Sequence, residues 1–509
     1  MTMPAILDRI GRLFSRVTGP RTAAVPVAQV DAERVETVRF RGGYDAAGDG
    51  TWNANHWAAA DSYDADSANS KSVRQELVRR SRLEHKNNGY LDGSETTHAD
   101  YLVRSGPTLQ VLTAVDGFNT AVETIWQQWT EAVMFRRKLH CMAEAKTRDG
   151  EPLAIIRDNP RVRHPVTLDF VPIETEQCQT PMLPWGEVGY VDGIKFDDWG
   201  NPEFYDILRQ HPGGQWAYQA NEDPDHVPAD YVMHWFRLRR PGQHRGVPEL
   251  SSTLNLGAGS RRHRESTIAS AETAANFTAV LHTQLSPDIP VKRLASPFST
   301  MPIQKNTFTA LPTGYELDQM RSENPNATYG EFHRHNIQEQ GRPLSMPYSV
   351  SACDHSQDSF ASGKLNHQPW FIRLDDDRMD CNDCCLNKLF AKFWRYAVLT
   401  YGWNADPETP PKHRWSWPRH PVADVESEAA ANETRLKTGQ VTPTRLYDEY
   451  GLDYETEVVQ MAADYGLDVP GMKALLCQSL FGNGNVVARP IGNREAPPKI
   501  QSGGSSRDR

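Results

Sequence analysis

Between residues 351 and 364 the chain reads SACDHSQDSFASGK, which gathers Ser351, Cys353, Asp354, His355, Ser356, Gln357, Asp358, Ser359 and Lys364 into fourteen residues. Two chemistries fit such a set. In a hydrolase or peptidase, Cys353 or Ser356 would attack, His355 would act as base, and a carboxylate would orient the imidazole. Cys353 and His355 alternate along an extended chain, however, so they meet only through a special turn. The plainer expectation is a polar loop in which Ser356 or Asp358 accepts the first N–H groups of the following helix. A second cluster, CNDCC at 381–385, sets two thiols at a metal-like spacing. No further ligands stand nearby at a sensible spacing. The flanking Leu386, Leu389, Phe390, Phe393 and Trp394 instead predict buried structural thiols, because cysteine behaves as a small hydrophobe.

Other chemistry is excluded by pattern. No glycine cradle precedes Gly363-Lys364, and neither HExxH nor GxSxG occurs, which removes a Walker-type ATPase, a zincin helix and a nucleophile elbow. No cofactor and no metal are expected.

The elements that would position the loop follow from periodicity. A helix is predicted through 327–340 and a long one from about 357 to 401, with Pro369 as its expected kink. Upstream, an Ala/Ser-rich helical segment at about 248–283 carries Arg261, Arg262, His263 and Arg264 and stops before Pro287 and Pro290; a loop and strand region fills 287–325. Residues 140–240 read as short extended runs cut by Gly and Pro, and FDDWGNPEFY places turn residues between two of them, which predicts a hairpin. In 116–135, Phe118, Val122, Ile125, Trp126, Trp129 and Val133 recur at three- and four-residue steps and mark a buried helix face. Another helix is expected at 72–84. Residues 1–17 place Ile6, Leu7, Ile10, Leu13, Phe14 and Val17 on one helical face, and 18–75 reads as an irregular arm anchored by Trp52 and Trp57. PETPPKHRWSWPRHP reads as an irregular connector, 423–465 as short helices, and the tail after 482 as disordered.

Composition bounds the rest. The chain has 509 residues, 38% apolar and 24% charged, with mean hydropathy −0.63. No run approaches the roughly 18 apolar residues of a membrane helix, so a soluble protein without a membrane partner is expected. Seven cysteines without regular spacing predict reduced thiols in a cytosolic compartment. The net charge of −10 disfavours tight general DNA binding, whose affinity comes from Lys and Arg displacing counterions.

Four stretches in register resemble the lambda-type portal proteins of tailed bacteriophages: RSRLEHKNNGY (80–90), GIKFDDWGNPEFYDIL (193–208), HWFRLRRPGQHRGVPEL (234–250), and the opening loop through Asp354, Ser356, Phe360, Ser362 and Lys364. Phe360 stands where the family usually has Tyr and Lys364 where Arg is commoner, while 91–108 looks like an insertion. The resemblance implies an α+β portal fold with an N-terminal arm (1–75), a wing (76–245), a stem helix (246–283), a small β-containing clip (284–326), a second stem helix (327–341), a tunnel loop (342–357), a long wing helix (358–402), a helical crown (403–481) and a tail (482–509). It implies no enzyme. It implies a self-assembled ring, typically of twelve subunits, at one capsid vertex of a virion assembled in the host cytoplasm. Double-stranded DNA would pass through the ring during packaging and ejection. The large terminase subunit, major capsid and scaffold proteins, and a head-completion or adaptor protein would dock on it. On this view Ser351, Asp354, His355, Ser356, Gln357, Asp358, Ser359 and Lys364 face DNA, and Arg261, Arg262 and Arg264 contact DNA or a neighbouring subunit. The acid-rich DDDRMD at 375–380 fits a channel wall or a solvated helix face equally. A minor structural or scaffold component without a channel is the remaining alternative.

Overall fold

Asn88 shows how tightly the chain is used: its backbone N–H closes one helix on the Glu84 carbonyl at 2.7 Å, and its side chain accepts from Tyr90 N at 3.3 Å to open the next. These helices are α1 (Lys71–Asn87) and α2 (Gly89–Val103). The computed structural model describes residues 55–180, 189–215, 223–276, 280–283, 315–318, 328–421 and 424–482. The chain divides into two compact units, residues 1–63 and 64–509. In the first, Trp57 is 54% exposed, so the expected anchor buries little there; Trp52 and the face at 1–17 lie outside the described residues.

In the second unit, α2 occupies most of the insertion-like stretch and buries Leu91, Ala99, Leu102 and Val103. Strand β1 (Thr108–Val111) follows, then α3 (Asp116–Ala132) and α4 (Phe135–Arg148). The apolar stripe of α3 is buried as its spacing requires: Trp129 is sealed and donates its indole N–H to the Leu168 carbonyl at 2.8 Å, and the Trp126 ring lies 4.9 Å from that of Phe393.

Strand β2 (Leu153–Asp158) pairs antiparallel with β3 (Leu168–Ile173) on one side and β8 (Val232–His234) on the other. A second, four-stranded antiparallel sheet runs β4 (Tyr190–Val191), β5 (Ile194–Phe196), β6 (Pro202–Ile207), β7 (Asp225–Pro228). Its β5–β6 pair is the hairpin expected from FDDWGNPEFY. A small core of Leu153, Cys178, Ile194, Tyr205, Ile207, Ala229 and Val232 joins the two sheets.

Helix α5 (Leu254–Asn276) is followed by β9 (Val280–Thr283), which pairs with β10 (Tyr315–Asp318); most of 284–326 lies outside the described residues. Then come α6 (Tyr329–Gly341), α7 (Phe360–Cys381) and α8 (Asn387–Tyr401). Pro369 sits exposed inside α7, and the α-helical run is interrupted between α7 and α8 at Asn382–Leu386, a single wide turn of π type. A proline on a solvated face gives up one hydrogen bond whose carbonyl water can satisfy. The wide turn instead adds a residue, and Cys381 just before it and Cys385 within it both reach the core. Asn382 Oδ1 is fixed there by the Trp417 indole N–H at 2.9 Å.

The supposedly irregular connector contains β11 (His413–Ser416), paired with β1 across more than 300 residues. Helices α9 (Val425–Lys437), α10 (Pro443–Glu449), α11 (Tyr454–Tyr465) and α12 (Val469–Phe481) end the described chain, the last two around a core of Val458, Ala462 and Met472. The class is mixed α+β, with every strand pair among the described residues antiparallel.

Candidate functional site

The polar loop stands on an anchored base. Helix α6 ends at Gly341, where an added Cβ would lie 2.4 Å from Ser351 Oγ and 3.1 Å from the Met346 carbonyl, so only glycine lets the two segments touch. The chain then turns through Ser345 in the left-handed region (φ 56°) and inserts Leu344, Met346 and Val350 into the main core. A one-turn helix, Tyr348–Ser351, completes the base. Cys353 is also left-handed (φ 51°), and past it the chain emerges: His355, Ser356, Gln357, Ser359 and Lys364 are exposed, Asp354 and Asp358 half-buried. Asp354 accepts from Ser356 N at 3.0 Å and from the Tyr348 hydroxyl at 3.4 Å. The Ser356 hydrogen bonds hold its carboxyl below the usual range. Ser351 differs from the rest of the expected DNA-facing set, being buried against Gly341.

The cap of α7 is Ser359, one residue beyond Asp358 and three beyond Ser356. Its hydroxyl accepts from Ser362 N at 3.3 Å while Ser362 Oγ accepts from Ser359 N at 2.9 Å. The reciprocal pair satisfies two N–H groups, which neither expected residue does. No nucleophile-base pair forms. His355 Nδ1 lies 3.8 Å from Asp358 Oδ2, the Cys353 thiol turns to the Val350 carbonyl at 3.7 Å, and no hydrogen bond among the described residues joins His355 to Cys353 or Ser356.

Behind the loop lies an ionic clasp that local sequence reading missed. In RPGQHRGVPE, Gln243 Oε1 accepts from Arg239 N at 2.9 Å, and Gln243 Nε2 donates to the Arg245 carbonyl at 2.8 Å, folding the turn. Arg245, 1% exposed, then meets the buried Glu151 at 2.7 Å. Glu151 also accepts from Gly246 N at 2.7 Å, Thr175 Oγ1 at 2.5 Å and His234 Nε2 at 3.1 Å, with Arg74 at 3.3 Å. Burial would raise the Glu151 carboxyl, but Arg245, the His234 bond and Arg74 together hold it well below the usual range. His234 Nδ1 lies 3.3 Å from the Tyr205 hydroxyl, which can donate to it, so the ring is satisfied in its neutral form. Burial lowers its pKa accordingly.

One turn further, Glu249 takes Lys146 at 3.0 Å, Arg373 at 2.9 Å and Arg239 at 2.7 Å, and Lys146 bridges to Asp377 at 2.8 Å. Trp370 Nε1 only donates, so His98 Nδ1 accepts from it at 3.2 Å, leaving Nε2–H to donate to Asp377 at 3.2 Å. The clasp thus bolts α4 and the end of β8 to α7, the helix that carries the loop. The carboxylates of DDDRMD are split by it: Asp377 is buried, Asp380 half-buried, and Asp375 and Asp376 are exposed.

The loop and the part of the clasp built by Glu151, Arg245 and Glu249 fall within residues 53–369, which match the family described as phage portal protein, lambda family. The chain belongs to that family. A probable portal protein of Halomonas phage phiHAP-1 is 30% identical over 120 residues, 23% of this chain and 22% of that one, so the match spans about a fifth of the curated relative. Chains from solved gene transfer agent particles align at low identity. One from the virion of a native particle has 11% identity and TM-score 0.40, and one from the neck of an empty particle has 11% identity and TM-score 0.43. Each alignment covers 74% of this chain and 93% of the other.

In this portal-family protein the basic cluster on α5 is mostly engaged within the chain. Arg261 pairs with Glu84 at 2.9 Å; Arg264 donates to Asn88 Oδ1 at 3.1 Å and lies over the Tyr90 ring at 5.2 Å. Both tie α5 to the α1–α2 junction, and Arg262 is the arginine of the cluster left exposed. Glu174, Glu176 and His211 converge in a metal-like group, but Arg82 already supplies the cation, 2.8 Å from Glu176 and 3.0 Å from Glu174.

Proposed function

We propose that this protein is the portal of a phage-like particle: a ring at one capsid vertex through whose axial channel double-stranded DNA is packaged and ejected. In this arrangement residues 76–245 with α7 and α8 form the wing, α5 and α6 the stem, 284–326 the clip that meets the large terminase subunit, 342–357 the tunnel loop and 403–481 the crown. Twelve copies close the ring, capsid and scaffold proteins surround it, and a head-completion protein caps it after packaging. Hydrolysis of ATP belongs to the motor.

The observation that carries this reading is the contrast along 341–364. A glycine-fitted, core-anchored base holds out a tip of exposed His355, Ser356, Gln357 and Ser359. Residues 351–364 hold two carboxylates against one lysine. Short hydroxyl and amide groups give a passing phosphate backbone weak, exchangeable contacts, whereas each bound lysine or arginine would add a salt-sensitive attachment. In this reading the exposed Arg262 and Lys364 touch the DNA. Negative-stain microscopy of the purified full chain tests the reading. A uniform ring with an axial hole is expected; a monomer or closed globule at every salt concentration tried would refute it.

A further inference from the structure

Two rigid tips of opposite charge stand apart on the wing, and neither is used by the loop or the clasp. The first is the β5–β6 turn. Trp199 at its apex is 86% exposed, an unusual position for a side chain of that size. Asp197 fixes the turn by accepting from Trp199 N at 3.0 Å, Asn201 N at 2.7 Å and Asn201 Nδ2 at 3.0 Å, and Gly200 takes the left-handed backbone (φ 84°) the turn demands. Asp198 precedes Trp199 and Glu203 follows it four residues on, at the start of β6, both exposed.

The second tip is the β2–β3 loop, where Arg157, Arg161 and Arg163 are exposed. It too is fixed: Asn159 N–H donates to the Thr167 carbonyl at 2.8 Å, Arg161 N–H donates to Asn159 Oδ1 at 3.1 Å, and Val162 packs on the main core. Its one carboxylate, Asp158, is taken by the Thr167 hydroxyl.

The tips also belong to different sheets. Register pairs Leu153 with Ile173 at the open end of the β2–β3 ladder and Asp158 with Leu168 at the loop end. The core beneath the Trp199 sheet includes Leu153, so it sits at the open end, about 17 Å of strand away from the arginine loop. A cyclic ring needs two different patches, one on each flank, that fit each other.

We infer that in the ring the Trp199 tip of one subunit docks on the arginine loop of its neighbour, with a guanidinium over the indole face and Asp198 and Glu203 paired to the remaining arginines. This rests on the ring reading above. Trp is the strongest cation–π partner and arginine its commonest cation. Both sides are held in place before contact, so little ordering is lost on docking.

Mixed assembly of charge-reversed full chains tests the contact, read by native mass spectrometry and negative stain, with circular dichroism confirming the fold. One variant carries D198K/E203K, the other R161E/R163E. Each alone sets like charges against like, and its ring fraction should fall at least about tenfold. Mixed in equal amounts, every tip meets an opposite loop, and rings should return to within about twofold of wild type; W199A should weaken assembly in either background. Single variants that assemble normally, or a mixture that fails as its parts do, would overturn the contact while wild-type rings leave the portal reading intact. Normal rings that lose DNA would assign the arginines to DNA instead and also overturn it. A wild-type chain that never assembles would sink the ring reading itself.

Discussion

The Glu151 clasp and the 353–364 tip both concentrate polar side chains, yet the first is sealed and the second open. Around Glu151 each carboxylate oxygen has several partners, and Arg245, Arg74 and His234 are removed from water. At the tip, Asp354 satisfies its own turn and the neighbouring hydroxyls face outward. The difference teaches where precision is needed. A helix that must hold a loop steady is fixed by buried, paired charge, while a tip proposed to face moving DNA would gain from contacts that exchange freely.

Breaking the clasp gives the largest expected effect. Glu151→Ala or Arg245→Ala leaves a charge buried without its partner, a loss of about 3–5 kcal/mol, seen as a collapse of the thermal midpoint or of soluble yield. The pair E151L/R245M should cost less than either single change; a double variant as damaged as the sum of the two would show that the charges do not act as a pair. Next comes Gly246→Ala, whose Cβ would fall 2.3 Å from the Gly150 carbonyl. A clash with backbone cannot relax by a rotamer change, so a loss of about 1–3 kcal/mol is expected in urea unfolding.

Acid should attack the same region. His234 has a folded pKa below its ordinary 6.5, so the unfolded chain takes up the proton first, and the stability this group contributes is full above about 6.5 and lost as pH falls. Glu151 and Asp377, depressed below 4.5 and 3.8, act in the same direction at lower pH. Each unit of depression is worth about 1.4 kcal/mol. His85 and Glu95, both raised, oppose this trend, so the clean measurement is the difference between wild type and H234Q. The wild type should lose ground relative to the variant between about pH 6.5 and 5; parallel curves would contradict the assignment.

At the tip the effects shrink. Ser359→Ala removes a reciprocal cap and should cost about 1 kcal/mol. Ser356→Ala and Gln357→Ala should each stay within about 0.5 kcal/mol and leave ring yield unchanged, while altering the rate or completeness of DNA packaging. Tip variants that unfold the protein would erase the contrast with the clasp.

Where the sequence was legible, a local rule was enough. The tryptophan stripe of α3, the Asp-Trp-Gly-Asn-Pro turn of the β5–β6 hairpin and the polar loop before α7 each declare themselves within about twenty residues. Helix α2 did not, because Gly89, Gly93 and buried Ser94, Glu95 and His98 blur its apolar face. Strand β11 hid among prolines, since its partner β1 lies some 300 residues upstream. The clasp was invisible for the same reason: Arg245 and Glu151 are 94 residues apart, Lys146 and Asp377 are 231 apart, and a charged residue read alone looks like surface. The buried Ser351 and the cap at Ser359 depended on the fit at Gly341 and on a reciprocal bond, which composition does not carry.

The most direct test is a cryo-EM map of the assembled full chain at a resolution that traces side chains. The account predicts a closed ring in which His355, Ser356 and Gln357 of every subunit line the narrowest part of an axial channel, with the Glu151 clasp buried in the wing behind them. A ring that places 353–364 on its outer rim, or an assembly with no axial opening, would contradict it.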